Sequence, residues 1–314
     1  MKRETMPENL GVLDSLLAYT HRAVAKTPEV LDLADPYDGF TRGMPAAPFL
    51  PTVLAACGVP TVSNGAESVG PKYGATHRKV LQAAGATVNL KPEEAAEQIS
   101  DPDVGWAYVD QRFACPALHA LVDLRARIVK RPCLTTLEVL LGSVSGLNKT
   151  HLVTGYVHKP YPPIYTALAR ASGYDSAAIV RGVEGGVIPS LNQPSKYFSY
   201  QGFESDIETR LDPSDYGVVS STRCVPLPDN LPTRPVDDDI KGPIDADGLA
   251  EAAARAGIAA LEGLQGPMRE SLIYGAAIYL QYLGIVTDPI AAAKKVREVL
   301  DSGEARRRFE LASL

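Results

Sequence analysis

Short apolar runs alternate with amphipathic segments along the first 181 residues of the chain. The apolar runs predict strands over residues 30–34, 59–63, 87–90, 104–109, 151–158 and 176–181. The segments between them repeat their apolar positions with helical spacing and predict helices over residues 46–57, 75–84, 92–99, 116–129, 135–141 and 162–172. Strands and helices in turn are typical of a parallel sheet with helical crossovers. We therefore expect an α/β fold with a mainly parallel sheet flanked by helices.

The two ends of the chain and one internal stretch depart from this alternation. Residues 9–26 predict a one-sided amphipathic helix with Asn9 as its N-cap. Residues 190–245 are dense in proline and predict an extended surface segment with two short strands. From residue 246 the pattern is helical to the end, with helices over 247–260 and 268–283 and a third that opens at Asp288-Pro289.

Composition narrows the class of protein. The 314 residues are 45% apolar and 22% charged, and no apolar run approaches the roughly 20 residues of a membrane span. The four cysteines are widely spaced without a C-x-x-C pair, so we expect reduced thiols and no zinc site. The polar N-terminus lacks an apolar signal core, which favours the cytoplasm. The net charge of −6 argues against a general nucleic-acid binder.

Three turns that follow apolar runs are rich in glycine and charge, at residues 31–39, 59–77 and 178–186. Glycine lets a backbone approach a ligand closely, and a helix start offers free N–H groups to an anion such as phosphate. Because the carboxyl ends of parallel strands meet at one edge of a sheet, the three turns predict one shared cleft. Each turn taken alone is more often an ordinary turn than a ligand site, so the prediction rests on the three together.

The sequence of the C-terminal region resembles glycosyltransferase family 3, especially the anthranilate phosphoribosyltransferases. It reads Gly263-Leu-Gln-Gly-Pro-Met-Arg-Glu-Ser271, then Gly275-Ala-Ala-Ile-Tyr-Leu-Gln-Tyr-Leu-Gly284. The resemblance implies a small helical domain beside an α/β domain, with the cleft between them. It makes residues 1–29 a shortened helical domain, with 115–130 packed on it, and residues 30–314 the α/β domain. A homodimer through segments 9–26 and 116–129 is implied as well.

In that family an amine displaces pyrophosphate from phosphoribosyl pyrophosphate with the help of magnesium. The resemblance, together with the three turns, predicts substrate-binding roles for Asp38, Gly39, Asn64, Gly65, Lys72, Gly74, Arg125 and Glu184. It assigns no catalytic residue and no metal ligand. Two of these residues have a structural role as the alternative: Asp38 could cap its turn, and Arg125 could form a salt bridge.

Several family ligands are replaced in this chain. The Asn-Arg of the second loop is Ala66-Glu67, and its Ser-Ser pair is Gly70-Pro71. The histidine ten residues before Arg125 is Cys115. The Asp-Glu magnesium pair aligns with Val187-Ile188, whose side chains cannot ligate magnesium. Magnesium therefore stays open as a cofactor.

Two functions follow from these observations. The first is a divergent glycosyltransferase that binds a phosphorylated pentose donor or a nucleotide and uses an altered acceptor. The alternative is a non-catalytic nucleic-acid or nucleotide-binding protein on the same scaffold, for which Lys72, Arg78, Lys79, Arg125 and Arg131 would supply the cations. Unaltered anthranilate phosphoribosyltransferase activity is the third reading and the least favoured.

Overall fold

A seven-stranded sheet forms the centre of the computed structural model, which describes residues 4–128, 130–232 and 244–313. In chain order the strands are β1 (Ala23–Val24), β2 (Glu29–Ala34), β3 (Thr61–Gly65), β4 (Trp106–Asp110), β5 (Val144–Ser145), β6 (Lys149–Gly155), β7 (Ser176–Val180), β8 (Ser195–Gln201) and β9 (Ile207–Leu211). The central sheet has the order β4-β3-β2-β6-β7-β8-β9, and β1 pairs with β5 beside it. The first five strands in this order, from β4 through β3, β2 and β6 to β7, are parallel to one another. The pairs β7-β8 and β8-β9 are antiparallel. The expected mainly parallel sheet is confirmed.

Helices cover both faces of the sheet. They are α1 (Met6–Ala18), α2 (Leu50–Ala56), α3 (His77–Ala83), α4 (Pro92–Ser100), α5 (Gln111–Ala114), α6 (Pro116–His119), α7 (Val122–Ile128), α8 (Leu134–Leu137), α9 (Pro162–Ser172), α10 (Ala246–Leu261), α11 (Pro267–Tyr282), α12 (Pro289–Asp301) and α13 (Glu304–Leu311). None of the helices in the described ranges is long and apolar enough to cross a bilayer.

Three local expectations are corrected by the structure. The predicted strand over 87–90 meets the sheet only where Leu90 bridges Val109, because Pro92 then begins α4. The predicted helix over 116–129 is divided into α6 and α7 by a tighter turn in which Leu121 N donates to Leu118 O. Helix α1 begins earlier than expected because Thr5, not Asn9, is its N-cap and forms a capping box with Glu8.

The proline-dense stretch is described in part. The two short strands expected within 190–245 are β8 and β9, which extend the parallel sheet as an antiparallel hairpin. Residues 233–243 of that stretch lie outside the described residues.

Two large apolar cores lie against the sheet. One joins α2, α10, α11, α12 and α13, where the Phe309 ring lies 5.5 Å from Trp106 and 5.7 Å from Phe49. The other packs Leu13 and Leu16 of α1 against Leu118 and against the helix α9. The segment near residue 115 thus contacts α1, while the proposed domain boundary at residue 29 stays a prediction.

Candidate functional site

The three glycine-containing turns meet at the carboxyl edge of the parallel strands. The turns after β2 and β3 are joined by a pair of backbone hydrogen bonds, from Phe40 N to Ala75 O at 3.0 Å and from Ala75 N to Phe40 O at 2.9 Å. The turn after β7 is joined to them by the Glu184 carboxylate, which accepts from Arg42 N at 2.8 Å and from Thr41 N at 3.1 Å. The sequence-predicted turns are therefore neighbours in space.

Gly39 and Gly74 allow this close approach. A Cβ atom on Gly74 would lie 2.3 Å from the carbonyl oxygen of Phe40, and one on Gly39 would lie 2.8 Å from the carbonyl of Ala75. Gly39 also has a φ of +75°, which side chains disfavour. The sequence pattern predicts that these glycines bring the backbone close to a ligand. In the structure they bring the turn after β2 close to the turn after β3. Gly65 lies on β3, where a Cβ would lie 2.9 Å from the Tyr108 hydroxyl.

Asp38 is fully buried and bridges two cations. Its carboxylate lies 3.2 Å from Lys72 Nζ and accepts a hydrogen bond of 2.8 Å from Arg131 Nη2. Arg131 is 49% exposed, so the cationic side of this cluster faces the cleft. The pairing brings the predicted residues Asp38 and Lys72 together and adds Arg131, which the sequence suggested only as one of the cations of the nucleic-acid alternative.

A hydrogen-bonded pair, Asp35 and His77, connects the turns. Asp35 Oδ2 lies 2.8 Å from His77 Nε2, and Asp35 Oδ1 accepts from Val187 N at 2.7 Å. Both side chains are buried. The Tyr279 hydroxyl donates to the carbonyl of Val187 from helix α11. One acid thus ties the turns after β2, β3 and β7 into a single unit.

Asn64 lies within the sheet, in a buried polar network. Its Nδ2 donates to Asp32 Oδ1 at 2.7 Å, and its Oδ1 accepts from Ser143 Oγ at 2.6 Å. The Tyr174 hydroxyl donates to the other Asp32 oxygen at 2.6 Å. Burial raises the pKa of Asp32 to about 7, although both hydrogen bonds act in the opposite direction. The amide of Asn64 is therefore engaged inside the protein.

Arg125 forms a buried ion pair with Glu138. Arg125 Nη1 donates to Glu138 Oε2 at 2.6 Å, and Nη2 donates to Oε1 at 3.0 Å. Neither side chain is more than 1% exposed. Burial raises the pKa of Glu138, and the guanidinium of Arg125 opposes that shift. The salt-bridge reading of Arg125 is the arrangement that the structure contains.

A cavity of about 230 Å³ opens between the turns after β2, β6 and β7 and the segment before α8. Its wall includes Pro36, Arg131, Thr135, Tyr161, Tyr165 and Glu184. The rings of Tyr161 and Tyr165 are 6.1 Å apart, and His158 lies 6.2 Å from Tyr161. Sequence reasoning missed these aromatic residues, although their place directly after the apolar run of β6 was a usable signal.

Known proteins share this chain's sequence over most of its length. The anthranilate phosphoribosyltransferase of Novosphingobium aromaticivorans is 28% identical over 254 residues, which cover 81% of this chain and 68% of that protein. The enzyme of the same name from Desulforamulus reducens is 25% identical over 313 residues, covering 99% of this chain and 82% of the relative. The chain is therefore similar in sequence to anthranilate phosphoribosyltransferases over most of its length. No family model matches it.

Solved anthranilate phosphoribosyltransferases have the same fold. The structure from Thermus thermophilus aligns with a TM-score of 0.72 at 18% identity, covering 99% of this chain and 85% of that one. The Saccharomyces cerevisiae enzyme in complex with PRPP and Mg aligns with a TM-score of 0.70 at 15% identity, covering 98% of this chain and 78% of that one. The expected phosphoribosyltransferase-like fold is confirmed.

The side chains that the structure describes at this edge of the sheet do not form a magnesium site of their own. Val187 and Ile188 offer no side-chain oxygen. The nearby carboxylates of Asp35, Asp38 and Glu184 are all bonded to protein donors. Within the described residues no group of three or more metal-ligating side chains occurs. Magnesium is usually bound by one or two carboxylates together with waters and the phosphates of a substrate, and the carboxylates at this edge are already bonded to protein donors.

Proposed function

We propose that this protein is a glycosyltransferase that binds a phosphorylated pentose donor in the cavity and transfers the pentose to an acceptor other than anthranilate. The observation that carries the proposal is the cavity itself. It lies where the turns after β2, β6 and β7 converge, and Arg131 is in its wall. The likeness to anthranilate phosphoribosyltransferases supports the donor class.

The reaction breaks the bond between C1 of the pentose and the diphosphate oxygen and forms a bond between C1 and the acceptor. The diphosphate leaves with the electron pair, and the acceptor nucleophile passes its proton to water or to the departing diphosphate. Arg131, which lines the cavity and is held by Asp38, would stabilise the negative charge that develops on the leaving group. No covalent intermediate with the protein is needed, because positioning and charge stabilisation lower the barrier.

The altered acceptor is supported by the environment of Arg125. Arginine recognises carboxylates such as that of anthranilate through two parallel hydrogen bonds. In this chain both of those donors are directed at Glu138, and neither side chain faces solvent. The cavity wall nearby has hydroxyl groups and aromatic rings, from Thr135, Tyr161 and Tyr165.

Calorimetric titration with phosphoribosyl pyrophosphate, with and without magnesium, tests the donor site. We expect submillimolar binding, and we expect Arg131→Ala to weaken it by about tenfold or more because a charged contact to phosphate is lost. Arg127→Ala is the matched control, since Arg127 is exposed on α7 and is not part of the cavity wall.

Two results would count against the proposal. One is the absence of heat at millimolar donor. The other is binding of a single-stranded oligonucleotide that weakens steeply with salt while the donor fails to bind, which would favour the nucleic-acid alternative.

A further inference from the structure

A charged pair lies directly behind the wall of the cavity. Thr135, Thr136 and Val139 line the cavity, and Glu138 lies between them in the chain with no exposed surface. Arg125 Nη2 also lies 3.4 Å from the Thr135 hydroxyl. The guanidinium is therefore separated from the cavity by a single side chain.

The donors around Glu138 make up a complete carboxylate-binding arrangement. Arg125 supplies two parallel N–H groups to the two carboxylate oxygens. Gln111 Nε2 adds a third donor to Oε2 at 3.2 Å, from the start of α5. Arginine in this bidentate geometry is the usual protein group for recognising a carboxylate of a ligand. Here the carboxylate belongs to the protein.

We propose that Glu138 determines acceptor specificity by occupying, with its own carboxylate, the position that a carboxylate of the acceptor would take. The acceptor of this protein is then a nucleophile without a carboxylate at that position. The inference rests on the proposed function in one respect, namely that an acceptor binds in the cavity beside the donor.

The balance of charge excludes a carboxylate acceptor at this position. Arg125 is already neutralised, and a second carboxylate beside Glu138 would add an unpaired buried negative charge. Arg131, the cation that lines the cavity, is held by Asp38 and is assigned to the diphosphate of the donor. The part of the wall that remains offers hydroxyl groups and the aromatic rings of Tyr161 and Tyr165, which suit an uncharged planar molecule.

Removal of Glu138 should expose the arrangement to a ligand. We expect Glu138→Ala to bind benzoate at least about tenfold more tightly than the wild-type protein does, because Arg125 then needs a carboxylate partner. Titration calorimetry measures the affinity. A second measurement is the shift of the thermal unfolding midpoint when sodium benzoate replaces sodium chloride at equal ionic strength. This shift can be measured even if the variant is only weakly stable.

The double variant Arg125→Met, Glu138→Leu is the matched control, since it removes the charge of both partners. It should show neither tighter binding of benzoate nor a benzoate-dependent shift. The inference is overturned if Glu138→Ala responds to benzoate no more than the wild type or the double variant does. No donor is needed, so failure to bind phosphoribosyl pyrophosphate would contradict the proposed function alone.

Discussion

Two buried carboxylates of this protein have partners of different kinds. Glu138, beside the cavity, is bonded to the guanidinium of Arg125 through both oxygens. Asp32, in the middle of β2, is bonded to the hydroxyl of Tyr174 and the amide of Asn64, which are neutral. A permanent cation is bonded to the first acid, whereas the hydrogen-bond donors of the second are neutral and the charge of Arg22 is only a smaller influence on its pKa. The acid beside the cavity is thus held in an ion pair, whereas burial raises the pKa of the acid inside the sheet to about 7.

The largest effect should come from removing the acid of the ion pair. Glu138→Ala leaves the Arg125 guanidinium buried without a counter-charge, and we expect a loss of about 3–5 kcal/mol in the free energy of unfolding. Urea denaturation measures it. The double variant Arg125→Met, Glu138→Leu should lose much less, because it leaves no unpaired charge. Equal losses in the two variants would show that packing, not charge, makes the region beside the cavity stable.

A pH dependence should come from the acid inside the sheet. The pKa of Asp32 is raised to about 7 in the folded protein from a value of 3.8, so the folded state binds the proton more tightly than the unfolded state. The stabilisation is complete below the unfolded pKa and is lost as the pH rises through 7. Between about pH 5.5 and pH 8 the wild-type protein should lose about 2 kcal/mol relative to Asp32→Asn.

Urea denaturation of both proteins across that range provides the measurement. Asp14→Asn serves as the control, because Asp14 is exposed on α1 and its replacement should leave the slope of stability against pH unchanged. A slope shared by the wild type and Asp32→Asn would mean that Asp32 stays ionised, and the contrast with Glu138 would disappear.

The sequence allowed the sheet to be predicted because its strands are continuous apolar runs and the helices between them are amphipathic. It also placed the three turns at one edge, since parallel strands share a direction. It could not show which backbone would approach Gly39 and Gly74, because the nearest atoms belong to a turn some 35 residues away in the chain. In the same way Arg125 is recognisable as a cation in the sequence, but its partner Glu138 lies 13 positions later, beyond the end of α7.

The smallest effect on stability should come from removing Arg131, which is a partner of another buried acid, Asp38. Its partner Arg131 is half exposed, and Lys72 remains beside Asp38 when Arg131 is removed. Exposed ion pairs contribute about 1 kcal/mol or less, so Arg131→Ala should lower the free energy of unfolding by no more than that. The loss should shrink further between about 50 mM and about 500 mM salt, because screening weakens exposed pairs first.

Since the same variant is expected to weaken donor binding about tenfold, a small change in stability would separate a role in binding from a role in folding. A loss as large as that of Glu138→Ala would instead place Arg131 with the interior pairs and leave the cleft without an available cation at this position.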